Sequence, residues 1–101
     1  MAGPLRILFH APTAAALQRA RRSARNLLDA EPAAEIEIVV NAEGAETALV
    51  RRDEATDHLI VVCEATLRRS GLTPLEVHRT VPLSTVFMAR RQAEGWTYIR
   101  A

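Results

Sequence analysis

Cys63 is the only cysteine in this 101-residue chain, and it directly follows the apolar run Leu59-Ile60-Val61-Val62. A helical pattern begins immediately after it. In an α/β sheet, reactive groups collect at the carboxyl ends of parallel strands, where a helix N-terminus favours a thiolate over a thiol. The position makes Cys63 a candidate nucleophile. The residues by themselves favour the alternative, a small core residue, because free cysteine is among the most buried residue types.

Two polar residues end the first two predicted strands in the same way. His10 follows an apolar run at residues 5–9, and Asn41 follows the second run along the chain. A parallel sheet places both beside Cys63 at one edge. There His10 would stabilise the thiolate or bind a small anion, and Asn41 or a backbone amide near Gly44 would orient it. The alternative for His10 is a strand-end residue that contacts only backbone.

Glu64 stands next to Cys63, and its carboxylate has two possible effects on the thiol. If the carboxylate lies close to the sulfur, like-charge repulsion raises the thiol pKa. If it points outward from the first turn of the helix, it complements the helix dipole. The sequence leaves both alternatives open.

Alternating apolar runs and helical patterns predict repeated βαβ units around a largely parallel sheet. Strands are predicted at residues 5–9, 35–40, 58–62, 80–83 and 96–99. Pro82 places the fourth strand at a sheet edge or a strand end, because proline cannot donate to a β-ladder. Four main helices are predicted, at residues 13–30, from Gly44, at residues 64–70, and from Ser84 or Thr85 to about Glu94, with one further helical turn at 73–76.

Charge patterning argues against nucleic acid and membranes as partners. The net charge of +1, from 13 basic and 12 acidic residues, gives no global field that would select either. The first helix carries Arg19, Arg21, Arg22 and Arg25 among alanines, without aromatic residues that could stack on bases. We therefore expect a solvated helix face there and an acidic surface turn at residues 53–57.

Two aromatic and apolar patterns near the C-terminus predict packing. Trp96 and Tyr98 share one face of the last strand, which suits a core or a subunit interface. The helix before them is expected to bury Val86, Phe87, Ala89 and Ala93.

Resident cofactors and metals lack sequence support. His10, His58 and His78 do not have the spacing of a metal site, and Gly44 and Gly71 form no nucleotide-binding glycine motif. A single cysteine excludes an intramolecular disulfide and fits a reducing compartment. Residues 1–4 lead into the first strand without a secretory leader, and no apolar stretch is long enough to span a bilayer. We expect a cytoplasmic location, no metal and no cofactor.

Several of these features occur together in a recognisable order. An aliphatic strand runs into Cys63, Thr66-Leu67 and a glycine-terminated helix follow, and Arg91-Gln92-Ala93-Glu94-Gly95-Trp96 precedes an aromatic–aliphatic last strand. Over essentially the whole chain this resembles the DsrE/DsrF-like family of small sulfur-relay proteins. The resemblance implies a three-layer α/β/α sandwich with a five-stranded, mainly parallel sheet, and a homo-oligomer, commonly a trimer or hexamer.

The resemblance also implies a function in intracellular sulfur relay. Cys63 would carry sulfane sulfur as a persulfide between a donor and an acceptor protein, more as a carrier than as an enzyme. His10, Asn41, Gly44, Glu64 and Thr66 would shape its pocket. The main alternative is a non-catalytic oligomer that binds a small ligand or a partner at the strand ends, with Cys63 incidental. A redox-sensing thiol is the third alternative.

Overall fold

A parallel β-sheet forms the centre of the computed structural model, which describes residues 3–101. Within that range the sheet has five strands, β1 (Arg6–Ala11), β2 (Glu35–Val40), β3 (Ile60–Cys63), β4 (Arg79–Val81) and β5 (Thr97–Arg100). They lie in the order β4-β3-β2-β1-β5, and every neighbouring pair is parallel. Met1 and Ala2, the start of the segment in which no leader is predicted, lie outside the described residues.

Helices cover both faces of the sheet. They are α1 (Ala14–Ala30), α2 (Ala42–Val50), α3 (Glu64–Ser70) and α4 (Ser84–Ala93), with a 3₁₀ turn at Asp57–Leu59. The first three pack with alternate strand residues such as Ile38 and Val40, and α4 packs on the opposite face with residues such as Val39 and Val61. This alternation follows from the two-residue period of a strand. The predicted three-layer α/β/α class with a five-stranded parallel sheet is confirmed.

Helix α1 forms as the sequence predicts. The Thr13 side chain caps it by accepting a hydrogen bond from the Ala16 amide at 3.0 Å. Leu17 and the alanines at 16, 20 and 24 are buried on one side of the helix. Alanines leave little volume between helix and sheet, so α1 packs closely on the neighbouring strands.

The arginine face of α1 is not wholly solvated, as it was predicted to be. Arg21 is buried, and its guanidinium donates to Thr56 Oγ1 at 2.7 Å, to Asp57 Oδ1 at 3.0 Å and to the Arg51 carbonyl at 2.9 Å. The prediction of a surface turn at residues 53–57 was wrong for Thr56 and Asp57, which are buried with it. A buried guanidinium needs these partners because burying an unpaired charge is costly.

The segments that flank β3 differ from the sequence predictions. The strand begins at Ile60, because Asp57–Leu59 form a 3₁₀ turn in which Asp57 faces inward toward Arg21. Residues 73–76 form no helix. One turn follows instead, in which the His78 amide donates to the Leu75 carbonyl at 3.0 Å.

Helix α4 buries a different side from the predicted one. Ser84 and Met88, one turn apart, face the sheet, and Phe87 is half-buried. The predicted core positions Val86, Ala89 and Ala93 are exposed. Charge explains the rotation, because Arg91 reaches back to the buried Glu37 of β2 at 2.7 Å, and its guanidinium lies over the rings of Phe87 and Trp96.

The order in which strands are added to the sheet changes side at β1, so that the last strand, β5, lies on the opposite side of β1 from β2. Strands β1 to β4 are added stepwise to one side, and α4 then returns the chain to pair β5 with the other side of β1. In open α/β sheets such a switch point opens a crevice at the carboxyl ends of the two strands. His10 lies at that end of β1. Among the described residues, no helix is both long and apolar enough to cross a membrane.

Candidate functional site

A continuous line of polar side chains runs along the carboxyl edge of the sheet. It begins at Tyr98 on β5 and passes through His10 on β1, Asn41 after β2 and Ser84 at the start of α4 to Cys63 at the end of β3. The structure thus brings together the three residues near strand ends that the sequence singled out. It adds Ser84, which links Asn41 to Cys63, and Tyr98, which extends the line outward from His10.

Cys63 is the innermost residue of this line, with only 3% of its surface exposed. Its Sγ accepts a hydrogen bond from the Ser84 amide at 3.4 Å. Burial raises the pKa of the thiol, but hydrogen bonds from the side chains and amides of Ser84 and Thr66 outweigh it and lower the pKa to about 7. A large share of Cys63 is therefore thiolate at neutral pH.

Thr66 approaches the sulfur from the first turn of α3 and is buried there. Its Oγ1 accepts from the Ala42 amide at 3.4 Å, so its own proton is free to donate to the sulfur. Ala42 has a φ of +48°, in the left-handed region that strains a residue with a Cβ. The backbone strain thus lies directly beside the site.

Ser84 approaches from the opposite side and is 2% exposed. Its Oγ accepts from Asn41 Nδ2 at 3.1 Å. Its amide is one of the first amides of α4, which have no partner inside the helix, and the sulfur supplies one. Two helix starts, those of α3 and α4, therefore direct donors at the same sulfur.

His10 connects this buried pair to the surface. Its Nε2 lies 3.1 Å from Asn41 Oδ1, and its Nδ1 lies 2.8 Å from the Tyr98 hydroxyl. His10 is half-buried and Tyr98 is 36% exposed. Both ring nitrogens of His10 therefore contact side chains at the switch point. The alternative prediction, that His10 contacts only backbone, was wrong.

Gly44 and Glu64 contribute less directly than the sequence suggested. The Gly44 amide already donates to the Pro12 carbonyl at 3.2 Å, so the glycine acts by close packing of α2 on the end of β1. Glu64 is half-buried at the start of α3. The largest contributions to the pKa of Cys63 come from burial, Ser84 and Thr66 rather than from this neighbouring carboxylate.

The other two histidines lie away from the line. His58 is exposed in the 3₁₀ turn. His78 is buried, and neither of its ring nitrogens has a hydrogen-bond partner among residues 3–101. Burial lowers its pKa, against the attraction of Asp57. Among the described residues, no group of three or more histidine, cysteine or acidic side chains is arranged to hold a metal ion.

Sequence reasoning missed Ser84 and Tyr98 as site residues. Ser84 was read only as a helix cap and Tyr98 only as packing. A usable signal existed for Ser84, because it follows the fourth strand as Asn41 follows the second, and strand ends share one edge of a parallel sheet. Tyr98 carried no such signal. It pairs in register with Leu8, and its hydroxyl reaches His10 only through the strand order.

Comparison with known proteins identifies the fold without a function. No protein-family model and no curated protein matches the chain. The chain is similar to the solved structure of MTH1491 from Methanobacterium thermoautotrophicum, a protein of unknown function. The TM-score is 0.81 at 29% sequence identity, over 96% of this chain and 99% of that one. The α/β architecture is therefore shared over nearly the whole length of both proteins.

Proposed function

We propose that this protein carries sulfane sulfur as a persulfide on Cys63, the function implied by its resemblance to the DsrE/DsrF-like family. The observation that carries the proposal is the convergence of donors from Ser84 and Thr66 on Cys63 Sγ, which lowers the thiol pKa to about 7. A sulfur carrier needs this property, because the thiolate and not the thiol attacks a sulfur–sulfur bond.

The transfer step balances without an external oxidant. The Cys63 thiolate attacks the outer sulfur of a donor persulfide, a new S–S bond forms at Cys63, and the donor's S–S bond breaks. The electron pair of that bond leaves with the donor as its thiolate. Attack by an acceptor thiolate on the outer sulfur of Cys63 then reverses the exchange and regenerates the Cys63 thiolate.

Burial of Cys63 sets the route of delivery. Because the Ser84 amide lies 3.4 Å from the sulfur, a donor protein reaches it only when the segment before α4 moves, whereas a small polysulfide needs less opening. Leu83 and Val86, each 46% exposed, offer partner proteins an apolar contact beside this segment. Once formed, the persulfide is shielded from other thiols.

The test is to weigh the intact protein by mass spectrometry after incubation with inorganic polysulfide, or with thiosulfate and a sulfurtransferase. We expect wild type to gain one sulfur atom that a reductant removes, and Cys63→Ser to gain none. Ser70→Cys places a thiol at an exposed position and, combined with Cys63→Ser, shows what an unactivated cysteine does under the same conditions.

The 3% exposure of Cys63 specifically favours one alternative, an oligomeric binding protein in which the cysteine is a core residue. That function predicts sulfur uptake only after the chain is unfolded. If neither folded wild type nor folded Cys63→Ser gains mass while denatured wild type gains one sulfur, the carrier proposal fails and the binding function is preferred.

A further inference from the structure

We infer that Asn41 and Ser84 are positioning residues for the Cys63 thiolate: they form the inner half of a hydrogen-bond chain, Tyr98–His10–Asn41–Ser84–Cys63, whose donors all point toward the sulfur. The inference deepens the proposed function and rests on it only for what the thiolate is used for.

Asn41 fixes the direction of donation along the hydrogen-bond chain, because its amide oxygen only accepts and its amide nitrogen only donates. Its Oδ1 can only accept, so the His10 Nε2 that lies 3.1 Å away carries a proton. Its Nδ2 can only donate, so the Ser84 Oγ at 3.1 Å is the acceptor. Donation therefore runs from His10 through Asn41 to Ser84.

Ser84 continues the same direction of hydrogen-bond donation toward the Cys63 sulfur. A hydroxyl has one proton, and because Oγ accepts from Asn41, that proton is left for another acceptor. Ser84 is 2% exposed, which leaves little room for water to compete, and its amide already donates to Cys63 Sγ. Held in this way, Ser84 has its hydroxyl proton available to the sulfur, beside the amide that already donates to it.

The outer half of the chain anchors Asn41. In neutral His10 the second ring nitrogen, Nδ1, accepts from the Tyr98 hydroxyl 2.8 Å away. His10 and Tyr98 stand on β1 and β5, on either side of the switch point. The hydrogen-bond chain thus joins five segments that are far apart in sequence, namely β5, β1, the start of α2, the start of α4 and the end of β3. It holds the amide of Asn41 in one orientation.

Asn41→Asp is the sharpest variant, because it keeps the size of the side chain and reverses the direction of one hydrogen bond, the one between residue 41 and Ser84. A carboxylate still accepts from His10, but it also accepts from the Ser84 hydroxyl and so draws that proton away from the sulfur. Its negative charge opposes the thiolate as well. Asn41→Ala removes the donor without adding charge, and Ser84→Ala removes the hydroxyl and leaves the amide in place.

The experiment is a pH titration of thiolate ultraviolet absorbance in the folded protein, with Cys63→Ser as the blank. We expect the pKa of about 7 in wild type. Ser84→Ala and Asn41→Asp each raise the apparent pKa by about one unit, which is roughly a tenfold loss of thiolate well below the pKa, and Asn41→Ala raises it less. Ser84→Thr, which keeps the hydroxyl, restores most of the acidity.

Ser70→Ala is the matched control, since Ser70 is exposed and donates only to Glu46 Oε1 at 3.2 Å; its titration follows wild type. Asn41 is half-buried, so its variants keep the comparison available if Ser84→Ala does not fold. A merely structural role would lower the melting temperature of Asn41→Ala and Ser84→Ala and leave the pKa of Cys63 at its wild-type value in both.

Two results overturn the inference: a wild-type thiol that titrates near its ordinary value, or Ser84→Ala and Asn41→Ala curves that coincide with wild type, since neither of these variants adds a charge. Sulfur uptake measured by mass is a separate readout. If the variants shift the pKa of Cys63 as expected but wild type gains no sulfur, the carrier function is rejected and the positioning role stands. If wild type gains sulfur but the variants do not shift the pKa, only the positioning role is rejected.

Discussion

At Cys63 two physical effects oppose each other within one residue. Burial disfavours the thiolate, and donors from Ser84 and Thr66 favour it by more, so that the pKa falls to about 7. The donors have to be rigid for this to work, because a mobile hydroxyl would lose conformational entropy on each encounter with the sulfur. Asn41, bonded at both ends, supplies that rigidity for Ser84.

His78 shows the opposite case, a buried polar residue whose ring nitrogens have no hydrogen-bond partner in the described part of the chain. Burial and the charges of Arg52 and Arg21 lower its pKa, and Asp57 opposes them. The unfolded chain therefore binds more protons than the folded one between the lowered pKa and about 6.5, the ordinary value for histidine. Stability contributed by neutral His78 is complete above about pH 6.5 and is lost as pH falls through this window.

We expect His78→Leu to flatten the pH dependence of the free energy of unfolding in that window. It should also raise the free energy of unfolding by about 1 kcal/mol, because an unpartnered buried polar group is replaced by an apolar one of similar size. Urea unfolding from about pH 5 to 8 measures both effects. His58→Leu, at an exposed position, is the control. An unchanged slope in His78→Leu would contradict the assignment of this window to His78.

Residue-level prediction from sequence succeeded where strand ends alone placed a side chain. His10 is the penultimate residue of β1, Asn41 directly follows β2 and Cys63 ends β3. A parallel sheet puts all three at one edge whatever the loops do. Ser84 and Arg21 were misread for a shared reason. Each is a polar residue on a helix whose partner lies 21 to 36 positions away, at Cys63 in one case and at Thr56 and Asp57 in the other. Helix periodicity does not report which polar residue turns inward.

At the level of elements, the close approach of α2 to β1 positions Asn41. A Cβ on Gly44 would lie 1.9 Å from the Ala11 carbonyl oxygen and 2.9 Å from its carbon, both backbone atoms. Only glycine therefore lets the first turn of α2 lie against the end of β1. Asn41 occupies the N-cap position of this helix, but its side chain bonds to His10 and Ser84 rather than to the helix amides. The strained φ of Ala42 is part of the same tight entry.

Gly44→Ala is expected to lower the free energy of unfolding by about 2 kcal/mol, because overpacking against the backbone exceeds the gain of about 1 kcal/mol that alanine brings to a helix interior. Chemical denaturation measures the change. Gly3→Ala serves as the control, since no heavy atom lies within 4 Å of its added Cβ. If Gly44→Ala is as stable as wild type, α2 does not need this close contact.

Most helices and strands could be predicted from the sequence, but which side of a helix faces the sheet could not. Apolar runs and the Thr13 and Gly71 signals located the strands, α1 and the end of α3, where Gly71 adopts a left-handed φ of +66°. For α4 the apolar period at Val86, Ala89 and Ala93 pointed to the wrong side. The ion pair of Glu37 with Arg91 accompanies Met88 facing the sheet instead, and pairing between distant charges is not visible in a local pattern.

On the scale of the whole molecule, the two faces of the sheet are covered unequally. Within residues 3–101 three helices lie on one face, and the ten-residue α4 lies on the other. Leu83 and Val86, three residues apart at the start of α4, remain 46% exposed. Apolar side chains grouped in this way suit a contact with another protein, and they lie next to the segment that covers Cys63.

We expect wild type to form a homo-oligomer through this α4 surface, and Val86→Arg to shift it toward the monomer, because an arginine buried there without a partner is costly. Size-exclusion chromatography with light scattering gives the mass of each form. Val50→Arg is the matched control, because Val50 is 77% exposed at the end of α2, on the other face of the sheet. A monomeric wild type, or equal dissociation by both variants, would refute this interface.

If the oligomer forms, the rate of sulfur uptake by Cys63 should differ between wild type and Val86→Arg, since the contact lies on the segment that must move.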